Sequence, residues 1–222
     1  MNRTNYVILG IALALPGSAT AVDFAVGAQG GTLGTGLQIT YGLTEHFNLR
    51  AGINSSEYEH DMVDIENSDG LTYENPTIDF DNQYLFLDIY PFSRGNLHLT
   101  AGYVKNNNSI TTTAEADGGE VFGEEFADAD TRVSALINFE DGAYAGIGWG
   151  NAVKGGLIHF GFDLGVVMQG SPKVEIEVLD DPSGGALITD EDIEAEEQEL
   201  EEDAKDADMW PVISLSMSIQ LL

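Results

Sequence analysis

The sequence predicts an all-β fold: an eight-stranded antiparallel transmembrane up-and-down β-barrel, with a short acidic helix or disordered segment in its last external loop. Three observations carry that expectation. Apolar residues alternate with small or polar ones along eight stretches. Period two builds a strand with one apolar face and cannot build an amphipathic helix. The connections between stretches are short at one end and mostly long at the other, as in membrane barrels. Finally, the acidic residues cluster in the long connections rather than on the strands.

Residues 1–21 precede the alternation. Arg3 is followed by the apolar run Tyr6 to Leu15, which Pro16 and Gly17 break, and Ala19-Thr20-Ala21 has the small-x-small form of a cleavage site. A spanning helix needs about 20 apolar residues, so this run is too short to remain as an anchor. The expectation is a signal peptide over 1–21 and a barrel over 22–222.

The strands then follow in order. Phe24, Val26 and Ala28 alternate with Ala25, Gly27 and Gln29. Leu37, Ile39, Tyr41 and Leu43 alternate with Gln38, Thr40 and Gly42. Phe47, Leu49, Ala51 and Ile53 alternate with Asn48, Arg50, Gly52 and Asn54. Gln83 to Pro91 is apolar on both faces, and Leu85, Leu87 and Ile89 are set outward, with Tyr84, Phe86 and Asp88 inward. Leu97, Leu99, Ala101 and Tyr103 alternate with His98, Thr100, Gly102 and Val104. From Val133 to Trp149 the apolar residues keep one parity that only Asp141 breaks, which predicts one long strand. Ile158 to Met168 and Val212 to Leu222 complete the set.

Short links fall at 44–46, 93–96 and 151–156, and long acidic ones at 55–77, 106–130 and 170–208; the link 30–35 is short although it lies at the long-loop end. An even strand count leaves both termini on the periplasmic side. Within the last loop, Asp190 to Asp208 is the densest charge run, with Ile193, Leu200, Ala204 and Ala207 at helical spacing. No loop has the twelve-residue calcium signature, so solvated charge is the expectation there.

A soluble lipocalin-like barrel would put the apolar face inside. The choice of residues argues for the inverse. Eight strands enclose only a narrow bore, which Gly146, Gly148, Gly150, Ser214, Ser216 and Ser218 suit. Those residues would make a poor solvated surface in so acidic a chain. Phe24, Phe47, Phe92, Trp149 and Phe160 at the short-turn end, and Trp210 at the other, are expected in interfacial girdles.

With 38 Asp+Glu against 8 Lys+Arg, a net charge of −30 and no cysteine, the chain offers no basic patch for nucleic acid, no disulfide and no thiolate metal site. The ionisable residues on the inward parity are Arg50, Asp88, His98, Arg132, Glu140, His159 and Asp163. They line the expected bore, either as an ion-paired plug or as a narrow polar path for cations. The leading functional expectation is an outer-membrane, cation-preferring porin-like channel. The alternatives are a non-conducting envelope barrel with acidic loops that bind cations or partners, and the soluble periplasmic ligand-binding barrel. No catalytic, metal or cofactor site is expected, since neither a G-x-S-x-G elbow nor an H-E-x-x-H pair is present. The expected partners are outer-membrane lipids and lipopolysaccharide, the barrel-insertion machinery and small cationic solutes.

Several blocks resemble one family. They are Ala143 to Asn151 (AYAGIGWGN), Gly170 to Val174 (GSPKV), Trp210 to Met217 (WPVISLSM) and, in the first half, Phe47 to Asn54 (FNLRAGIN). These are similar to small proteobacterial outer-membrane barrels that include the ornithine-uptake porin associated with carbapenem susceptibility. The resemblance implies an eight-stranded membrane barrel and, more weakly, passage of basic amino acids. Members usually end in an aromatic residue, whereas this sequence ends Gln220-Leu221-Leu222.

Overall fold

The computed structural model describes residues 23–59, 65–66, 72–92, 95–116, 121–122, 125–126, 131–180 and 189–221. The expected signal segment, 1–21, lies outside the described residues.

The strands are β1 (Phe24–Gly31), β2 (Gly34–Thr44), β3 (Phe47–Glu59), β4 (Thr72–Ile89), β5 (Leu97–Asn106), β6 (Ser109–Ala116), β7 (Thr131–Asn138), β8 (Gly142–Trp149), β9 (Ile158–Met168), β10 (Lys173–Asp180) and β11 (Met209–Gln220). A helix, α1, spans Asp190–Asp203. Three further strands of two residues each lie at 65–66, 121–122 and 125–126.

Eight strands close into a ring in the order β1-β2-β3-β4-β5-β8-β9-β11, all neighbours antiparallel. Pairing of the first and last strands, from Ala25 opposite Gln220 to Gly31 opposite Ser214, closes it and leaves no edge in the barrel wall. The short connections gather at one end, here the turn end, and the long ones at the other, the loop end. At the tight β1–β2 link, Gly34 takes φ +94°, a conformation that residues with a Cβ rarely adopt.

The apolar face points out. Leu37, Leu215 and Phe160 are 64%, 65% and 68% exposed, while Arg50 and Asp163 on the opposite parity are 5% and 3% exposed. That excludes the lipocalin-like alternative, whose apolar face must be inside. The ambiguous strand resolves as expected, with Leu85 exposed and Tyr84, Phe86 and Asp88 buried.

Two sequence expectations need correction. First, 133–149 is not one strand. Its N-terminal part is β7, which leaves the barrel and pairs with β6 and β10; only β8 belongs to the ring. Strands β6, β7 and β10 pair in the order β4-β6-β7-β10, which repeats the barrel order β4-β5-β8-β9. The barrel wall thus continues past its rim as a four-stranded platform, interrupted at 107–108, 139–141 and 169–172. The apolar parity changes sides there. Ala143, Ala145 and Ile147 are exposed in the barrel, yet Val133, Ala135 and Phe139 of the same parity are buried. The physical reason is the solvent: an apolar face can meet lipid tails in the barrel but must be covered where water surrounds it. Asp141 marks the break. Its carboxylate accepts hydrogen bonds from the Asn106 N–H and the Tyr103 hydroxyl, both at 2.8 Å.

Second, Trp210 is not in a girdle. It turns inward, donates from Nε1 to the Thr32 carbonyl at 2.9 Å, and meets Phe139 and Phe80 edge-on. Phe47, Phe92, Trp149 and Phe160 are exposed at the turn end, as expected.

Candidate functional site

The bore is built from side chains of the inward parity, in four layers. At the turn end, Asn48 donates to Asn151 at 3.1 Å and to Tyr90 at 3.3 Å, and Tyr90 donates to the Gly150 carbonyl at 3.1 Å. Asn151 and Val153, from the β8–β9 turn, are both buried, so this turn closes over the mouth. Gly150, at φ +131°, lets the chain double back against the backbone of Phe160 and Gly161.

The second layer is ionic. Arg50 on β3 donates from Nη1 to Asp163 Oδ2 at 2.8 Å and from Nη2 to Asp163 Oδ1 at 3.0 Å. Nη2 also donates to Asp88 Oδ1 at 2.9 Å. Thr100 donates to the same Asp88 oxygen at 2.7 Å, and His98 Nε2 lies 3.0 Å from Asp163 Oδ1. One guanidinium ties β3 to β4 and β9, and the two carboxylates it holds tie in β5 through Thr100 and His98. Planar, bidentate donation is the property that suits Arg rather than Lys to this place. Gly148 is the cross-strand neighbour of both His98 and Asp163, and a Cβ there would overlap both side chains.

The third layer is aromatic. Tyr84, Phe86 and Tyr144 stack at 4.4 and 4.3 Å between centroids, and the Arg50 guanidinium sits 5.5 Å from the Phe86 centroid. Such ring pairs add about 0.5–1.5 kcal/mol beyond their burial. The rings fit because glycines beside them lack side chains: a Cβ at Gly52, directly opposite Tyr84, would overlap that ring, and one at Gly165, diagonal to Tyr144 on β9, would overlap the Tyr144 hydroxyl. Tyr84 donates to Gln38 at 3.0 Å, and Gln38 to Ser218 at 3.3 Å. Leu33, Val104, Val167 and Val212 fill the remaining space.

The fourth layer, at the loop end, is a chain of amides. Gln29 donates to Asn54 at 2.6 Å, Asn54 to Asn82 at 2.7 Å, and Asn82 to Asn108 at 3.0 Å. Asn106 donates to Gln169 at 2.9 Å.

Of the residues expected in the bore, Arg50, Asp88, His98 and Asp163 form one cluster. His159 sits half-buried at the turn-end mouth, with Nε2 2.6 Å from the Gly156 carbonyl. Arg132 and Glu140 lie elsewhere. Arg132 is exposed on β7, in the platform, and Glu140 is exposed at the strand break, where it pairs with Lys173 at 2.8 Å. That contact holds the Lys173 ammonium above its ordinary range. Both misplacements follow from treating 133–149 as one strand. The amide chain was missed because only ionisable groups were singled out, although Asn54 carries the same parity as Arg50.

Small cavities remain in the bore, two of them against the Arg50–Asp163 pair. One, about 30 Å³, faces the turn end and is lined by His98, His159 and Ser216, among others. The second, about 10 Å³, lies toward the loop end against Tyr84, Tyr144 and Ser214. The first has room for a water or two and the second for one at most. Arg50 and Asp163 line both, so their ion pair is the partition between them. Among the described residues, no three His, Asp or Glu side chains converge as a metal site would need.

The fold has solved counterparts. It matches Acinetobacter baumannii CarO2 with a TM-score of 0.60 at 16% identity, covering 91% of this chain and 100% of that one. It matches Acinetobacter baumannii CarO with a TM-score of 0.57 at 18% identity, covering 89% of this chain and 97% of that one. No protein-family profile matches the sequence, and neither does any curated protein. At these identities the likeness is one of fold, and the family resemblance of the sequence blocks is met at that level.

Proposed function

We propose that the chain is a non-conducting outer-membrane envelope barrel that holds an acidic platform outside the cell. One observation carries this reading: the bore is occupied from mouth to mouth by interlocked side chains, with the Arg50–Asp163 pair as its partition. In this reading the exposed apolar face meets outer-membrane lipid, the turn end lies in the periplasm, and the platform with α1 faces outward beside lipopolysaccharide. Insertion proceeds through the barrel-assembly machinery, and the protein catalyses no reaction. Its net charge of −30 attracts cations and repels anionic partners at the external face, an effect that salt weakens.

A second reading, a cation-preferring channel, is favoured by the two cavities meeting at a single ion pair. Displacing Arg50 from Asp163 would join them into a path lined by Asp88 and Asp163. Planar-bilayer recording of the refolded mature protein separates the two. The envelope reading expects no single-channel steps in molar potassium chloride. Resolved steps with a reversal potential set by the cation gradient would replace it with the channel.

A further inference from the structure

Among the described residues, strand β10 is the last strand of the platform and pairs on one side only, with β7. Such an edge exposes a row of N–H and C=O groups at every second residue and invites another strand. Here the row meets α1 instead. Glu201 accepts a hydrogen bond from the Val174 N–H at 3.2 Å, and Glu197 accepts one from the Ile176 N–H at 2.8 Å. The spacing explains the fit. Four helical residues rise about 6 Å, and two strand residues rise about 6.7 Å, so carboxylates four apart reach N–H groups two apart. The register is bounded at both ends. One step toward the start of the strand is Pro172, which has no N–H to satisfy. One step the other way is Ile193, which offers no acceptor. The acidic run therefore supplies two acceptors where a neighbouring strand would otherwise stand.

We propose that α1 is a guard on the β10 edge, and that its carboxylates keep β10 from pairing antiparallel with β10 of a second copy of this chain. Charge complementarity identifies that occupant. With Val174 opposite its own copy, Lys173 lies across from Glu175 twice, the two Val174 N–H groups face each other, and each Ile176 N–H faces the Pro172 carbonyl of the other strand. The test uses the full mature chain refolded in detergent, with barrel folding checked by heat-modifiable migration. Three variants are compared: Glu197→Ala/Glu201→Ala, Glu197→Gln/Glu201→Gln, and the alanine pair with Lys173→Glu added. The guard predicts at least tenfold more dimer for the alanine pair at equal concentration, by light scattering. Amide exchange at Val174 and Ile176 should be at least tenfold faster in its dilute monomer and should slow again as dimer forms. The glutamine pair, which keeps acceptor oxygens, should behave as the parent chain does. Lys173→Glu should reverse the dimerisation. An alanine pair that stays monomeric with unchanged exchange overturns the proposal. So does a dimer in which the Val174 and Ile176 amides stay unprotected, or one that Lys173→Glu leaves intact.

Discussion

Arg50 and Asp163 are 113 residues apart in sequence and meet in the bore through two parallel hydrogen bonds of 2.8 and 3.0 Å. Both side chains are buried, and Asp88 takes a third bond from the same guanidinium. Removing the cation leaves two carboxylates without their partner. Arg50→Met should therefore cost about 3–5 kcal/mol, measured by urea unfolding in lipid vesicles. The triple variant Arg50→Met/Asp88→Asn/Asp163→Asn should recover most of that loss. Arg50→Lys should fall between, because an ammonium cannot reproduce the bidentate geometry.

The aromatic layer depends on the absence of side chains opposite it. Gly52→Val should push the Tyr84 ring from its place and cost about 1–3 kcal/mol as an overpacked site. The double variant Gly52→Val/Tyr84→Ala should be less destabilised than the sum of its single changes. Strict additivity in the double-mutant cycle would show that the two positions do not compete for space.

Asp141 holds the break at which the wall leaves the barrel. Asp141→Ala removes the acceptor from the Asn106 N–H and the Tyr103 hydroxyl. Stability should fall by about 0.5–1.5 kcal/mol. Hydrogen exchange should show the Asn106 amide losing protection, while amides at the turn end, such as Gly42, keep theirs.

On the outer face, Leu215 lies near the middle of β11 and is 65% exposed. Leu215→Arg should cost about 2–4 kcal/mol in lipid vesicles, as a cation at the midplane does. The same change at Leu221, near the turn-end rim, should cost much less.

The barrel was legible because alternation states which side of a strand is apolar, and β9 and β11 hold that pattern for most of their length. The ionic cluster was legible for a related reason: Arg50, His98 and Asp163 stand among small or polar residues on a parity read as inward, and Asp88 joins them on the face set inward in the strand that is apolar on both sides. The platform was not. Strand β6 is rich in Thr, with no strongly apolar face to set it off, and β10, although Val174, Ile176 and Val178 alternate with Lys173, Glu175 and Glu177, is a short run inside the long acidic stretch 170–208. Strand β7 was hidden by the opposite fault. Its apolar parity matches that of β8, and only Asp141 hints that the chain turns over between lipid and water. Trp210 was placed in a girdle by its residue type, although its parity with Val212 and Ser214 already pointed inward.

The chain holds two tryptophans, and the structure places them on opposite sides of the wall. Trp149 is 57% exposed on the outer face, while Trp210 is turned inward against Phe139. Fluorescence quenching by brominated lipid chains, on Trp149→Phe and Trp210→Phe variants refolded into vesicles, tests this polarity directly. Trp149 alone should be strongly quenched and Trp210 alone should not. Quenching of Trp210 with Trp149 spared would mean that the apolar face is not the one that meets lipid.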